Sequence, residues 1–268
     1  MIEEPLQLVA FEYRRELPGG RTGPLLVAAM LEDGSELEVV VKLRHPDARD
    51  GHFEGTSLAC ELVCSVLGRA VGLSVPDYSI VEIPAELPEG VADRRIRDLL
   101  TRNVGDNFAT RYQEGYGLWN PAYRPRSSDL MEALEDVLSF DATVINGDRK
   151  AAKPNLLWRG ENLLAIDHSL ALPVHQWDDE VIASSPLMPE AEVRAHCAFD
   201  ALAGRLRQFQ AMLDRWRTRV PPEDLARLRT FIPASWERRP GDLDRVFRFL
   251  TERPPRFDAI AGELRRVT

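Results

Sequence analysis

The stretch VINGDRKAAKPNLLWRGENLLAIDHSLAL, residues 144–172, contains the most informative pattern of the chain. Two short apolar runs flank a turn that contains Gly160, and this pattern predicts a small β-hairpin. Asn155 stands at the entrance of the hairpin, Asp167 at its exit, and Asp148 on the loop that leads into it. Folding of the hairpin would therefore bring two carboxylates and one carboxamide into one small volume.

Phosphoryl transfer from a nucleotide requires a set of groups of this kind. One carboxylate accepts the proton of the attacking hydroxyl group, while an Asn and a second Asp supply hard oxygen ligands to Mg²⁺. The order along the chain predicts Asp148 as the base, and Asn155 and Asp167 as metal ligands. The stretch resembles the HipA-like kinases and the related phosphoinositide kinases, in which Asp-Arg and Asn precede a hydrophobic strand and Ile-Asp.

One spacing departs from the kinase pattern. Kinase catalytic loops usually place the Asn five residues after the Asp, whereas Asn155 follows Asp148 by seven residues. Asp and Asn side chains beside a hairpin also commonly fix their own turn backbone, so each residue alone has a structural explanation. The ordered set of three favours phosphoryl transfer.

Length and composition fit a protein with one large domain or two lobes. The chain has 268 residues, and its net charge of −9 argues against a nucleic-acid partner. Cys60, Cys64 and Cys197 give no disulfide framework, and we expect the first two to pack in the interior rather than to bind a metal. Because no apolar run reaches membrane-spanning length and the first residues are not a secretory signal, we expect a cytoplasmic protein without a membrane partner.

The N-terminal third predicts an antiparallel meander that ends in a lysine. The apolar runs Leu6–Tyr13, Pro24–Met30 and Glu36–Leu43 are typical of strands, with a glycine-rich connection over Arg14–Gly23. The third run, Val-Val-Val-Lys, resembles the Val-Ala-Ile-Lys motif of kinases, which implies that Lys42 contacts the nucleotide phosphates. A lysine that protects the edge of a sheet is the structural alternative.

The glycine-rich connection and the following helix complete the predicted nucleotide site. Backbone N–H groups of Gly19, Gly20 and Gly23 could approach phosphate oxygens, although a tight hairpin also uses such glycines. The periodicity predicts a helix over Thr56–Val71, with Glu61 on a side that carries small residues. Glu61 is either solvated or directed at Lys42; resemblance to the small lobe of HipA-like kinases implies the second arrangement.

The predicted fold is α+β and bilobal, like that of protein kinases. A β-rich N-lobe would cover residues 1–115 and a mainly helical C-lobe residues 116–268. Residues 84–125 look irregular apart from a short helix near Ala92–Leu100, although residues 105–110 resemble a Gly-x-x-Phe-Gly-Ser stretch of the HipA-like group. The remaining predictions are a strand at Tyr78–Ile83 and a helix capped at Ser127–Asp129 that runs to Ala142. Further helices are predicted at Glu190–Arg219, Pro222–Phe231 and Gly241–Thr251, with a final turn near Phe257–Arg266.

The sequence thus predicts an ATP- and Mg²⁺-dependent phosphotransferase with a protein serine or threonine as its acceptor. A small-molecule kinase, similar to the aminoglycoside phosphotransferases, is the first alternative. A non-catalytic nucleotide-binding protein on a degenerate kinase fold is the second, and the longer loop before Asn155 is its best support. Basic arginines between Arg205 and Arg219 are expected to cover a solvated helix face.

Overall fold

The computed structural model describes residues 2–18, 23–45, 57–205, 207, 209–237 and 239–268. None of the helices in these ranges is long and apolar enough to cross a membrane. The strands are β1 (Leu6–Glu16), β2 (Leu25–Met30), β3 (Glu36–Lys42), β4 (Tyr78–Ile83), β5 (Gly105–Arg111), β6 (Gly117–Leu118), β7 (Leu156–Arg159) and β8 (Asn162–Ala165). The α-helices are α1 (Ser57–Ala70), α2 (Arg94–Thr101), α3 (Ser128–Val144), α4 (Asp179–Ser184), α5 (Glu190–Ala195), α6 (Phe199–Leu202), α7 (Ala211–Arg219), α8 (Pro222–Thr230), α9 (Asp242–Thr251) and α10 (Phe257–Val267).

The N-terminal strands form a closed five-stranded sheet in the order β1-β2-β3-β5-β4. Successive side chains of a strand point to opposite faces, so Val39 and Val41 enter the apolar interior of this sheet. Lys42 consequently points outwards, towards α1. The β-branched run therefore both builds the sheet and fixes the direction of the lysine.

The predicted antiparallel meander of the first three strands forms, but the prediction that residues 84–125 are irregular apart from one short helix is wrong. Strand β5 falls in the region that we predicted to be irregular, and it separates β3 from β4, while β1 pairs in parallel with β4. Gly105 and Asn107 interrupt the apolar pattern of this strand. The side chain of Asn107 donates to the carbonyl oxygens of Asn103 and Gly105, each at 2.8 Å, and accepts from the Arg44 amide. Tertiary hydrogen bonds thus stabilise a strand of low intrinsic propensity.

Helix α1 packs between the closed sheet and the helical part of the chain. Its side chains belong to one large apolar cluster together with α3 and the C-terminal helices. Glu61, in the middle of the helix, is only 2% exposed, so it is not a solvated side chain. The described part of the helix begins at Ser57, and Gly72 follows its C-terminal end with a φ of 85°.

In the C-terminal part, the Asp148 loop directly follows helix α3. Ser127 caps α3 as predicted, and the helix ends at Ile145 in a left-handed conformation, which turns the chain into the loop. The hairpin β7–β8 forms around Gly160, and β6 adds a third strand to it.

The prediction of one helix over Glu190–Arg219 is wrong. Three separate helices, α5, α6 and α7, occupy this range. The chain leaves the helical conformation after Ala195 because its backbone hydrogen-bonds to the Asp148 loop: the Ala151 amide donates to the carbonyl of Ala195, and the Cys197 amide donates to that of Arg149. The helical segment after Glu190 is therefore interrupted where its backbone hydrogen-bonds to the Asp148 loop.

Candidate active site

Three distant segments meet at the Lys42 side chain. Lys42 at the end of β3 contacts the Glu61 carboxylate of α1, and its Nζ lies 2.8 Å from Oδ1 of Asp167, just beyond β8. Glu61 also accepts a hydrogen bond from the backbone amide of His168 at 3.0 Å. The early lysine, the helical glutamate and the aspartate after the hairpin are therefore brought together, and of the two interpretations of Glu61 the structure has the one directed at Lys42.

Burial and charge shift the pKa values of these groups in a consistent way. Burial alone would raise the pKa of Asp167, but the ammonium groups of Lys42 and Lys153 hold it well below its ordinary value. Burial alone would lower the pKa of Lys42, but Asp167 and Glu61 raise it. The pKa of Glu61 is raised, because its burial outweighs the attraction of Lys42. Lys42 and Asp167 are thus firmly charged at neutral pH.

Asp148 joins this group through a residue that the sequence analysis did not single out. Nζ of Lys153 lies 2.7 Å from Oδ2 of Asp148 and 3.0 Å from Oδ2 of Asp167. Asn155 donates from Nδ2 to Oδ2 of Asp148 at 3.4 Å. We call Lys42, Glu61, Asp148, Lys153 and Asp167 the Lys42 cluster. The spacing could have revealed Lys153, because it occupies the position five residues after Asp148 where kinase loops carry Asn.

A second group of charges, behind the loop, fixes the position of Asp148. Arg149 contacts Asp141 of α3 through Nε at 2.5 Å, and donates from Nη1 to the carbonyl oxygens of Asn155 and Ile166. His196 and Asn146 each lie 3.0 Å from the Asp141 carboxylate. We call Asp141, Asn146, Arg149 and His196 the Asp141 cluster.

The Asp141 cluster is closed to solvent, and its carboxylate is fully ionised. Burial opposes ionisation of Asp141, but Arg149 and His196 lower its pKa far below the ordinary value. Arg149 ties the loop to both the entrance and the exit of the hairpin, since it bonds the backbone at Asn155 and at Ile166. It therefore sets the separation of Asp148, Asn155 and Asp167 without touching the cavities.

Two cavities adjoin the Lys42 cluster. The first, which we call the Lys42 cavity, has a volume of about 380 Å³, and Val40, Lys42, Phe108, Leu157, Ile166 and Asp167 are among its lining residues. The second, the Asp148 cavity, has a volume of about 450 Å³, and Gly147, Asp148, Ser169, His175, Trp177 and Glu192 are among its lining residues. Asp148 and Asp167 thus face different cavities, although Lys153 connects them.

The glycine-rich connection is described only in part. Gly19 and Gly20 lie outside the described residues. Gly23 has a φ of 55°, a backbone conformation that favours glycine. Among the described residues of this connection, Leu17 and Pro18 line the Lys42 cavity, as does Pro24 directly after it, and Gly23 does not.

Several lining residues of the Lys42 cavity were missed by the sequence analysis. They come from the end of β5 and the segment after it, residues 110–113, and from the hairpin residues Leu157 and Ile166. The resemblance of residues 105–110 to a HipA-like stretch was the one signal for the first set. Alternation along the hairpin could have indicated Leu157, since successive side chains of a strand point to opposite faces and Leu156 enters the core.

The donor groups fit one divalent cation. Carboxylate and carboxamide oxygens are the ligands that Mg²⁺ prefers, and Lys153 already places a positive charge between two of the carboxylates. Within the described ranges, no three His, Cys, Asp or Glu side chains are grouped closely enough to hold a metal by themselves. Asp167 and Asn155 supply oxygens of this kind.

A β-rich N-terminal part, a mainly helical C-terminal part, and a lysine–glutamate pair opposite two aspartates define a protein of the kinase class. The chain belongs to the HipA-like kinases, since the model of that family matches residues 49–236. This confirms the resemblance seen in the sequence and makes the protein a kinase. Kinases in general use a nucleotide and a divalent metal.

A solved structure supports the fold over nearly the whole chain. The proinflammatory kinase CtkA of Helicobacter pylori matches with a TM-score of 0.56, covering 98% of this chain and 99% of that chain. The two sequences are 12% identical, so the similarity concerns the fold alone. Among curated proteins, no sequence matches significantly.

Proposed function

We propose that this kinase transfers the γ-phosphoryl group of ATP, bound with Mg²⁺, to a serine or threonine hydroxyl group of a protein. The observation that carries the proposal is the meeting of Lys42, Glu61 and Asp167, with 2.8 Å between the Lys42 ammonium and the Asp167 carboxylate. These residues are 19 and 125 positions from Lys42 in the sequence. Charged groups that converge at a cavity are candidates for binding a charged ligand.

The Lys42 cavity suits a nucleotide because its lining is both apolar and ionic. Val40, Phe108 and Leu157 can pack against a planar base, while Lys42 can bind phosphate oxygens. The buried Glu61 carboxylate would hold the Lys42 ammonium group towards the cavity, since this ion pair restricts the orientations of the lysine side chain. In this arrangement residues 1–115 supply the lysine side of the nucleotide site, and residues 116–268 supply the acidic side.

Asp148 is the proposed base, and it faces the other cavity. A hydroxyl group that enters the Asp148 cavity could donate its proton to this carboxylate as it attacks the phosphoryl group. Asp167 and Asn155 would hold Mg²⁺, which neutralises charge on the phosphate oxygens. Arg149 fixes the spacing of all three side chains through its backbone hydrogen bonds.

A small-molecule acceptor is the second candidate, because the Asp148 cavity has the size of a small-ligand pocket, about 450 Å³. His175, Trp177 and Glu192 in its lining offer both polar and aromatic contacts. A protein acceptor would insert only one side chain there.

The test starts with wild-type protein and its thermal unfolding with and without ATP and Mg²⁺. We expect a rise in the melting temperature, followed by transfer of the γ-phosphate to protein substrates or to the chain itself. Transfer to small alcohols and amino sugars, but not to proteins, would select the second candidate. Nucleotide binding without transfer to any acceptor would favour the non-catalytic alternative, and no shift with any nucleotide would contradict the proposal.

A further inference from the structure

A positive charge of the protein itself occupies the position between Asp148 and Asp167. Nζ of Lys153 is 2.7 Å from one carboxylate and 3.0 Å from the other, and it contacts Oδ2 of both. Lys153 therefore places an ammonium group where the two acids converge.

The backbone holds Lys153 in this position. Its amide and carbonyl groups exchange hydrogen bonds with those of Lys150, at 3.0 and 3.1 Å, and the Lys150 amide also donates to the carbonyl of Asp148. Pro154 restricts the chain on the other side. The tight turn directs the side chain back towards Asp148, although the side chain is 38% exposed.

The same position has a defined role in the kinase catalytic loop. The residue five positions after the base is an Asn that binds the second Mg²⁺ ion, and in this chain that residue is Lys153. An Mg²⁺ ion lies about 2.0–2.1 Å from its oxygen ligands. It could not bind Oδ2 of Asp148 and Asp167 while an ammonium group remains within 3.0 Å of both, because two cations would then be in contact.

We propose that Lys153 replaces the second divalent cation of the site, so that the nucleotide binds with a single metal ion, held by Asp167 and Asn155. Lys42, Lys153 and one divalent ion would together neutralise the charge of the triphosphate. This proposal also accounts for the longer spacing to Asn155. Asn155, seven residues after Asp148, would bind the single ion, and Lys153, five residues after it, would take the place of the second ion. The metal count rests on the proposed function, whereas the occupation of the acidic site by Lys153 does not.

The first experiment measures Mn²⁺ binding to the nucleotide-free protein by titration calorimetry and electron paramagnetic resonance. Lys153→Met removes the ammonium group and leaves two carboxylates around one empty volume. We expect the variant to bind Mn²⁺ at least about tenfold more tightly than the wild type. Lys150→Met, which removes an exposed charge from the same loop, is the matched control and should leave the affinity unchanged.

The second experiment counts Mn²⁺ ions bound in the presence of a non-hydrolysable ATP analogue. The wild type should bind one ion for each nucleotide, and Lys153→Asn, which restores the kinase residue, should bind two. Two ions in the wild type, or one in both proteins, would overturn the proposal. Equal Mn²⁺ affinities of the wild type and Lys153→Met without nucleotide would also overturn it.

The two experiments separate this inference from the proposed function. Tighter Mn²⁺ binding by Lys153→Met without any nucleotide binding would contradict the ATP-dependent function and retain the replacement of a cation by Lys153. Normal nucleotide binding with equal Mn²⁺ affinities of the wild type and Lys153→Met would support the proposed function and contradict the replacement of a cation by Lys153. Circular dichroism establishes that each variant is folded, and Lys153→Gln serves in the same titrations if Lys153→Met does not fold.

Discussion

The Lys42 cluster and the Asp141 cluster lie on opposite sides of one loop and use the same ionic chemistry differently. In the Lys42 cluster, three carboxylates share two ammonium groups, and Lys42 and Lys153 remain 18% and 38% exposed at the cavities. In the Asp141 cluster, Asp141 and Arg149 are at most 1% exposed, and the guanidinium also bonds backbone carbonyls. Exposure to a cavity thus separates charges that can meet a ligand from charges that hold the chain.

The difference has an energetic consequence. Removal of one partner from a fully buried ion pair leaves an uncompensated charge in a medium of low dielectric, which costs about 3–5 kcal/mol. Charges at a cavity are partly solvated, and in the Lys42 cluster each ammonium group has two carboxylate neighbours. Substitutions there should therefore change activity far more than stability, and the opposite should hold behind the loop.

The largest effect is expected from Asp167→Ala. Phosphoryl transfer should fall by at least about 10³-fold, because the variant lacks the main metal ligand and the carboxylate that orients Lys42. The melting temperature should remain close to that of the wild type, since Lys42 keeps Glu61 as a partner. A γ-phosphate transfer assay and a thermal unfolding curve measure the two quantities; full transfer in this variant would refute the metal role of Asp167.

Asp148→Asn should separate the two cavities. We expect transfer to decrease by about 10²–10⁴-fold, because the amide cannot accept the proton of the acceptor hydroxyl. Nucleotide affinity should be nearly unchanged, since Asp148 lines the cavity opposite Lys42. Steady-state transfer rates and the dissociation constant of an ATP analogue test this expectation. A large loss of nucleotide affinity with a normal transfer rate would assign Asp148 to nucleotide binding instead.

These clusters also show how far the sequence could predict the site. Lys42, Asp148, Asn155 and Asp167 could be found because each stands beside an apolar run, where alternation or a turn restricts the direction of a side chain. Glu61 was found with two open interpretations, and only the packing of α1 decides between them, since the helix is buried on nearly all sides. Local pattern therefore identified four of the side chains that the structure brings together around Asp148 and Asp167.

The parts that were missed depend on contacts between distant segments. Strand β5 is stabilised by the side-chain hydrogen bonds of Asn107 and by pairing with β3 and β4. The local sequence of β5 does not indicate these contacts. The Asp141 cluster joins α3, the loop and the interruption after α5, so His196 gave no signal in a region that looks continuously helical. Lys153 was visible from its spacing but was not singled out. Gly19 and Gly20 stay predictions.

The Asp141 cluster itself can be tested with Asp141→Asn. We expect a loss of about 3–5 kcal/mol in the free energy of unfolding, because the Arg149 guanidinium would remain buried without its counter-charge. At a temperature where the variant is folded, transfer activity should be largely retained, because Arg149 keeps its hydrogen bonds to the carbonyl oxygens of Asn155 and Ile166. Urea unfolding measures the loss, and Arg217→Met, which breaks an exposed pair with Asp258, is the control that should stay close to wild type. Equal effects of both substitutions would contradict the distinction drawn between the clusters.

The smallest effect concerns His168, which lies between the two clusters. Its amide donates to Glu61, its ring packs edge-on against Phe140 at 5.9 Å, and its Nε2 has no hydrogen-bond partner among the described residues. Burial, reinforced by Arg149, lowers the pKa of His168 from 6.5 to about 3. The folded protein therefore keeps the ring neutral where the unfolded chain would protonate it.

The sign of the resulting pH dependence follows from this order of pKa values. Between pH 6.5 and 3 the unfolded state binds a proton that the folded state does not, so stability present above pH 6.5 is lost as the pH falls. The slope from this residue is at most about 1.4 kcal/mol per pH unit. His168→Phe should flatten the stability curve between about pH 6.5 and 4.5, above the range where the carboxylates titrate. A curve of wild-type steepness in His168→Phe would show that His168 is not the group that titrates on unfolding.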